Sequence, residues 1–197
     1  MRMLSMKKGA PETSSAVLTI GHSTHTLDVF IKLLQAHGVK HVIDVRTVPR
    51  SRRNPQFNRE TLPNSLKAAG IAYTHMPGLG GLRRPRPDSP NAGWRNASFR
   101  GFADYMQTPE FRENLETLTE LASKDRIALM CAEALPWRCH RSLIADALLV
   151  REIQVEHIMN EKHRQAHKLT PWAVINGANI TYPPASAQTG IEAGKEC

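Results

Sequence analysis

The sequence predicts an α/β fold of three layers, a mostly parallel sheet of about five strands with helices on both faces. Three observations lead there. Short apolar runs rich in β-branched residues alternate with longer stretches of helical periodicity, the pattern of right-handed crossovers. Two of those runs, Ala16–Gly21 apart from Thr19 and Arg126–Met130 after its first residue, are apolar on consecutive positions, as strands covered on both faces require. Polar side chains then gather just past the carboxyl ends of the runs, the edge at which open parallel sheets bind ligands.

A chain of 197 residues suits one domain, expected here over 16–182. Met1–Ser15 and Pro183–Cys197 are polar, Gly/Pro/Ser/Ala-rich segments with little to bury, so a disordered leader and tail are expected. Lysine and arginine number 26 against 18 acids, a net charge of +8 and a pI of about 9.8, which favours phosphate-bearing partners, DNA or a nucleotide. Three cysteines make no disulfide framework, and no apolar run approaches a membrane span. A cytoplasmic protein without membrane contact is therefore expected, with no cofactor.

The first strand, Ala16–Gly21, delivers His22 and Ser23 to its carboxyl end. A helix follows with Ser23, Thr24 or Thr26 as N-cap and Leu27, Phe30, Ile31 and Leu34 on one face, closing at His37–Gly38. The second strand, His41–Arg46, ends in Asp44 and Arg46 where a buried parallel strand should stay apolar. Pro49 and Pro55 then deny helix to a basic loop carrying Arg50, Arg52 and Arg53. Arg59–Ala69 reads as a helix stopped by Gly70, and Ile71–Met76 as the third strand. The segment Pro77–Gly93 is long for a connection, carries Arg83, Arg84 and Arg86, and has Gly80 and Gly81 to let backbone approach a ligand. Helices are expected over Phe99–Met106, over Pro109–Ser123 behind a Thr108 cap, and over Ser142–Val150, with strands at Arg126–Met130 and Val155–Ile158. Glu161–Lys168 reads as a short polar helix, and Ala173–Ile175 with Ile180–Tyr182 as a hairpin around Asn176–Gly177.

The chemistry concentrates between Cys131 and Arg141, where Glu133, Arg138, Cys139 and His140 also stand. The helix beginning near Cys139–Ser142 would turn its free N–H groups and positive end on the same space. Cys131 has the placement of a thiolate nucleophile, as in rhodaneses and cysteine phosphatases, but six residues separate it from Arg138 where five small ones are needed, and they include Leu135, Pro136 and Trp137. Its plain reading is a packed thiol. Zinc on Cys131, Cys139, His140 and His22 is disfavoured by a seven-residue gap between the cysteines, so no metal is expected. Asp44 and Glu133 are the acids at strand ends, and partial desolvation suits one to act as a base while an arginine pairs with the other, or else both close the sheet end as structural ion pairs.

The segments TIGHS at 19–23, DVRTVPRS at 44–51, PQFN at 55–58, LGG at 79–81, MCAE at 130–133 and CHR at 139–141 together resemble the domain of unknown function 488 family. The resemblance spans about Thr19 to Ile158. Some members are associated with excision of modified pyrimidines such as 5-hydroxymethyluracil from DNA, and the resemblance implies that activity here.

Glycosidic cleavage needs a carboxylate, a pocket for an extruded base and cations on the phosphates. The expected assignment is Asp44, Glu133 and His22 as catalytic groups. Ser23, Arg46, Gly80, Gly81, Cys131, Arg138, His140 and Arg141 are expected to bind substrate, with Arg50, Arg52, Arg53, Arg83, Arg84 and Arg86 on nucleic acid. Phe57, Tyr73, Trp94 and Trp137 are candidate stacking surfaces. Two alternatives stand beside it: a cysteine-dependent transferase or phosphatase, and a non-catalytic nucleotide or nucleic-acid binding module.

Overall fold

The structure is a computed structural model that describes residues 16–185. The leader expected over 1–15 and all but the start of the expected tail lie outside the described residues. The strands β1 (Val17–Gly21), β2 (His41–Asp44), β3 (Ala72–His75), β4 (Ile127–Cys131) and β5 (Val155–Ile158) lie parallel in the order β3-β2-β4-β1-β5. A sixth strand, β6 (Arg164–Ala166), joins β5 antiparallel at the edge. The three-layer α/β expectation therefore stands, with one strand more than expected. That strand replaces the polar helix expected over 161–168. The Asn160 side chain accepts from the Lys162 and His163 amides, 2.9 Å each, and closes a turn that returns the chain along β5.

Period-two alternation sorts the sheet's two faces. Leu18, Ile20, Val42, Ala128 and Met130 point to one core with Phe30, Leu34, Leu62 and Leu66 from α1 (Leu27–Ala36) and α2 (Leu62–Ala68). Val17, Ile43, Ile127, Leu129 and Cys131 point to the other, covered by α3 (Ala97–Tyr105), α4 (Pro109–Lys124) and α5 (Arg141–Leu149). Each fully buried Leu, Ile or Phe contributes about 1.5–3 kcal/mol. Caps fall where their side chains can accept a free amide: Thr26 from Val29, Asn96 from Ser98 and Phe99, and Thr108 from Phe111. The hairpin expected around Asn176–Gly177 forms as β7 (Val174–Asn176) and β8 (Asn179–Thr181), with Gly177 at φ +59°.

The long segment 77–93 is held down by Asp104 of α3, which accepts from the Arg86 amide at 2.8 Å, the Ser89 hydroxyl at 2.6 Å and the Asn91 amide group at 2.8 Å. Gly101 makes room for it, because a Cβ there would strike the backbone of Arg83 and Arg84. Among the described residues no helix is long and apolar enough to cross a membrane.

Candidate functional site

β4 lies between β2 and β1, so the carboxyl ends of three strands meet in the middle of the sheet. Gly21 pairs with Cys131 and Asp44 with Met130, which brings His22, Arg46 and the 132–140 connection onto one rim. Gly21 makes this close approach possible, since any Cβ there would overlap the Glu133 carbonyl and the Ala134 Cα. The His22 and Ser23 amides donate to the Cys131 and Ala132 carbonyls at 2.9 and 3.0 Å. Ser23 holds a left-handed φ of +47°, a strained turn that folds its carbonyl back on the His22 ring.

Two adjoining lobes open over this rim. The first, about 410 Å³, is lined by Cys131, Glu133, Arg138, Cys139, His140, Gly81 and, from elements the sequence did not single out, Thr47, Asn96, Ser98 and Phe99. The second, about 480 Å³, runs over His22, Ser23, Arg50 and Asn54. Arg46, Val48, Ala132 and Glu133 line both. Val48 at 61% exposure and Leu82 at 73% stand at the mouth as bare apolar side chains.

Asp44, expected as a catalytic acid, presents no open oxygen to the cleft. It is fully buried. Its two oxygens accept from Arg46 Nε at 2.9 Å and Nη2 at 2.6 Å, and it also takes the Arg46 amide and the Tyr73 hydroxyl. Burial and the neighbouring carboxylate push the Tyr73 phenol well above its usual range. Arg46 reaches on to the Phe57 carbonyl at 2.7 Å and to His22 Nε2 at 3.2 Å. His22 in turn lies stacked on Phe57, ring centroids 4.3 Å apart, with Nδ1 on the Ser23 carbonyl at 2.9 Å. The carbonyl takes a proton from Nδ1 and the guanidinium gives one to Nε2, so the ring is neutral with both nitrogens occupied. Burial first, and then the charge of Arg46, lower its pKa to about 4 despite the Ser23 carbonyl and Asp44. His22 therefore positions Arg46.

Arg141 also departs from the expected substrate contact. At 1% exposure it donates to the Glu133 carbonyl at 2.6 Å, to the Ala134 carbonyl at 3.4 Å and to Thr19 Oγ1 at 3.2 Å, so it holds the connection from beneath. Gly80 is buried, and a Cβ on it would meet Thr47, whereas Gly81 lets the 77–82 turn lie against the His140 ring. Arg83 is spent within the fold, 3.6 Å over the Tyr105 ring and bonded to the Gly78 and Gly80 carbonyls. Arg86 reaches Asp88 at 3.8 Å, and Arg84 is exposed away from the lobes. Of the basic loops, Arg50 borders the second lobe, and Arg50 and Arg52 border a further cavity of about 650 Å³ beyond it, with Arg53 exposed nearby. The aromatic expectations mostly fail for one reason, that rings repay burial: Phe57 lies under His22, Tyr73 is bonded to Asp44, and Trp94 sits among Phe99, Trp172 and Tyr182. Trp137 remains 55% exposed.

Glu133 is the strand-end acid that faces the cleft. Its side chain is exposed, it lines both lobes, and no ion pair among the described residues engages it.

Cys139, which the sequence marks only as a metal candidate, is central to the site. Its sulfur lies 2.8 Å from that of Cys131, 3.5 Å from His140 Nδ1, and takes the Arg141 amide at the start of α5 at 3.5 Å. Burial opposes its ionisation, but the Cys131 thiol, His140 and Arg141 outweigh it and hold Cys139 well below the usual thiol range. Cys131 moves the other way, pushed up by burial and by the hydrogen bond its thiol donates to Cys139. His140 Nε2 meets the Val45 carbonyl at 3.1 Å, so both ring nitrogens face acceptors. Among the described residues no group of three His, Cys, Asp or Glu side chains is placed to hold a metal.

A parallel α/β sheet with a two-lobed cleft at the carboxyl ends of its central strands defines the class of protein. More specifically, the family model described as Domain of unknown function DUF488 matches residues 26–148, and the chain belongs to that family. The matched span begins after His22 and Ser23 and contains the rest of the rim. No curated protein and no solved structure matches the chain.

Proposed function

We propose that the protein is a nucleic-acid-acting hydrolase, most specifically a DNA N-glycosidase that excises a modified pyrimidine of the 5-hydroxymethyluracil type. The observation that supports this most is Glu133, an accessible carboxylate without a counter-ion among the described residues, set in a cleft of about 410 Å³ among cationic and apolar groups. A pyrimidine extruded from the stack fits such a volume, against Phe99 and Val48. Asn96 and Ser98 offer hydrogen bonds to its edge. As the N1–C1′ bond breaks, its electron pair leaves with the base, and the Arg138 guanidinium at the cleft wall stabilises that anion. Glu133 stabilises the oxocarbenium-like sugar and takes a proton from the water that attacks C1′. Leu82, bare at the lip, fills the gap the base leaves, and Arg50, Arg52 and Arg53 hold the flanking phosphates.

An oligonucleotide carrying one 5-hydroxymethyluracil, scored for alkali-labile abasic sites, tests the reading. Wild-type protein is expected to release base at least about a hundredfold faster than Glu133→Gln. Equal product from the two, or none from either, overturns it. Salt-dependent DNA binding without turnover would mark a binding module instead.

The low-lying Cys139 thiol favours one second reading, a cysteine-dependent transferase or phosphatase, with Cys139 and not Cys131 as nucleophile. Loss of phosphatase or sulfurtransferase turnover in Cys139→Ser, with turnover retained in Glu133→Gln, would establish it.

A further inference from the structure

We propose that Cys131 and Cys139 form a dithiol at the floor of the cleft that a hydroperoxide oxidises to an intramolecular disulfide, locking the connection that carries Glu133. The proposal stands whether or not the protein is a glycosidase, because it rests on the sulfurs and their surroundings. The two sulfurs are 2.8 Å apart and both border the first lobe, although each residue is almost wholly buried. Hydrogen peroxide, scarcely larger than water, needs no wider path.

The second observation is Arg141. Its guanidinium is buried, its Nε finds no acceptor, and among the described residues no carboxylate pairs with it. A buried cation without a counter-ion is costly, and the charges its surroundings offer are the sulfurs of Cys131 and Cys139, of which Cys139, taking the Arg141 amide at 3.5 Å, is the one held low. The His140 nitrogen and the first amide of α5 complete a setting that keeps this sulfur ionised while Cys131 keeps its proton.

The chemistry then divides between the two. The Cys139 thiolate attacks one peroxide oxygen, the O–O bond breaks, and hydroxide leaves with the electron pair, giving a sulfenic acid. The Cys131 sulfur attacks the sulfenic sulfur, an S–S bond forms as the S–O bond breaks, and the departing hydroxyl takes the Cys131 proton and leaves as water. One peroxide is reduced and two sulfurs are oxidised. The new bond closes a loop over Ala132–Arg138, whose Glu133 amide already donates to the Cys131 sulfur at 3.3 Å, and it removes the negative charge opposite Arg141.

Full-length protein with Cys197→Ser, which leaves only these two thiols, is reduced, freed of reductant and treated with about one equivalent of hydrogen peroxide. The expected product is lighter by two hydrogens, has no titratable thiol after denaturation, and yields on trypsin digestion the peptides 127–138 and 139–141 joined through sulfur. Dithiothreitol restores both thiols. In Cys131→Ser, Cys139 is expected to be trapped by dimedone as sulfenic acid, at least about tenfold faster than Cys131 reacts in Cys139→Ser. Two thiols surviving peroxide, oxygen added to a sulfur without a cross-link in the two-cysteine protein, or Cys131 reacting as fast as Cys139 would each overturn the proposal.

Discussion

The carboxyl ends of β2 and β4 stand side by side in the sheet, yet their charges meet opposite fates. At β2 the acid and the base are two residues apart on one strand, and they close on each other: Asp44 and Arg46 form a bidentate pair, with Tyr73, His22 and the Phe57 carbonyl taking the remaining positions. At β4 the chain runs on through the Pro136–Arg138 turn, which brings Cys139 under the strand end and leaves the polar side chains of the connection pointing outward. Glu133 and Arg138 are left facing the lobes, and the buried cation Arg141 faces sulfur. The difference teaches that a polar strand end becomes a site only where its partners cannot reach one another within the fold. The β2 cluster sets the shape of the rim, and the β4 connection supplies its open charges.

The sharpest way to break that comparison is to substitute its two acids. Asp44→Asn leaves Arg46 buried without its charge partner and is expected to cost about 3–5 kcal/mol in urea unfolding. Glu133→Gln should stay within about 0.5 kcal/mol of wild type, because an exposed and unpaired side chain loses nothing on neutralisation. Equal losses at both sites would show that Glu133 belongs to a structural network after all.

This contrast is only half legible in the sequence. Alternating apolar runs and helical periods announce the layers, and strand-end polarity announces the rim, because both follow from local pattern. What Asp44 and Glu133 do differs through partners distant in the chain, Tyr73 on Asp44 and the Phe57 carbonyl on its partner Arg46, with none on the Glu133 side chain among the described residues, and periodicity carries no such information. The proximity of the two sulfurs escapes for the same reason. Seven intervening residues look too many until the Pro136–Arg138 turn folds Cys139 back beneath the end of β4. The edge strand Arg164–Ala166 is hidden by its polar composition, which is what an exposed edge requires. Gly21 reads in the sequence as a strand stop, whereas its lack of a Cβ is what admits the Glu133 backbone.

His22 offers the next largest effect. Its folded pKa of about 4 lies below the unfolded 6.5, so the neutral form is the folded one. The stability tied to it is complete above pH 6.5 and is lost as pH falls from 6.5 toward 4, on the order of 3 kcal/mol in all. His157, lowered to about 3, and His41 act in the same direction, so the assignment needs the individual imidazole signals followed by NMR. A His22 ring titrating near 6.5 would mean that the β2 cluster is open to water and no more closed than β4.

A smaller test lies within the β2 cluster itself. Tyr73→Phe removes one of the donors on a buried carboxylate that keeps its guanidinium, and about 1–2 kcal/mol should be lost. Because Arg46 still neutralises Asp44, the loss must fall short of Asp44→Asn, and a loss as large would assign the cluster's stability to the phenol instead of the ion pair.

Arg138→Ala should produce the smallest change in stability and the most specific change in binding. Its side chain is exposed at the cleft wall and makes no hydrogen bond or ion pair with any described residue, so unfolding should shift by less than about 0.5 kcal/mol. If the Arg138 guanidinium reaches the phosphate of the extruded nucleotide as well as its base, taking away that cation flattens the plot of log affinity against log salt by about one unit. The variant is therefore expected to bind DNA more weakly with a shallower salt slope, measured by fluorescence anisotropy across a salt series. Arg83→Ala serves as the opposite arm, since that guanidinium is committed to Tyr105 and to two carbonyls: it should lose stability with the slope unchanged. A slope that falls for Arg83 and not for Arg138 would move the nucleic acid off the cleft, and the open charges of the β4 connection would then need another ligand.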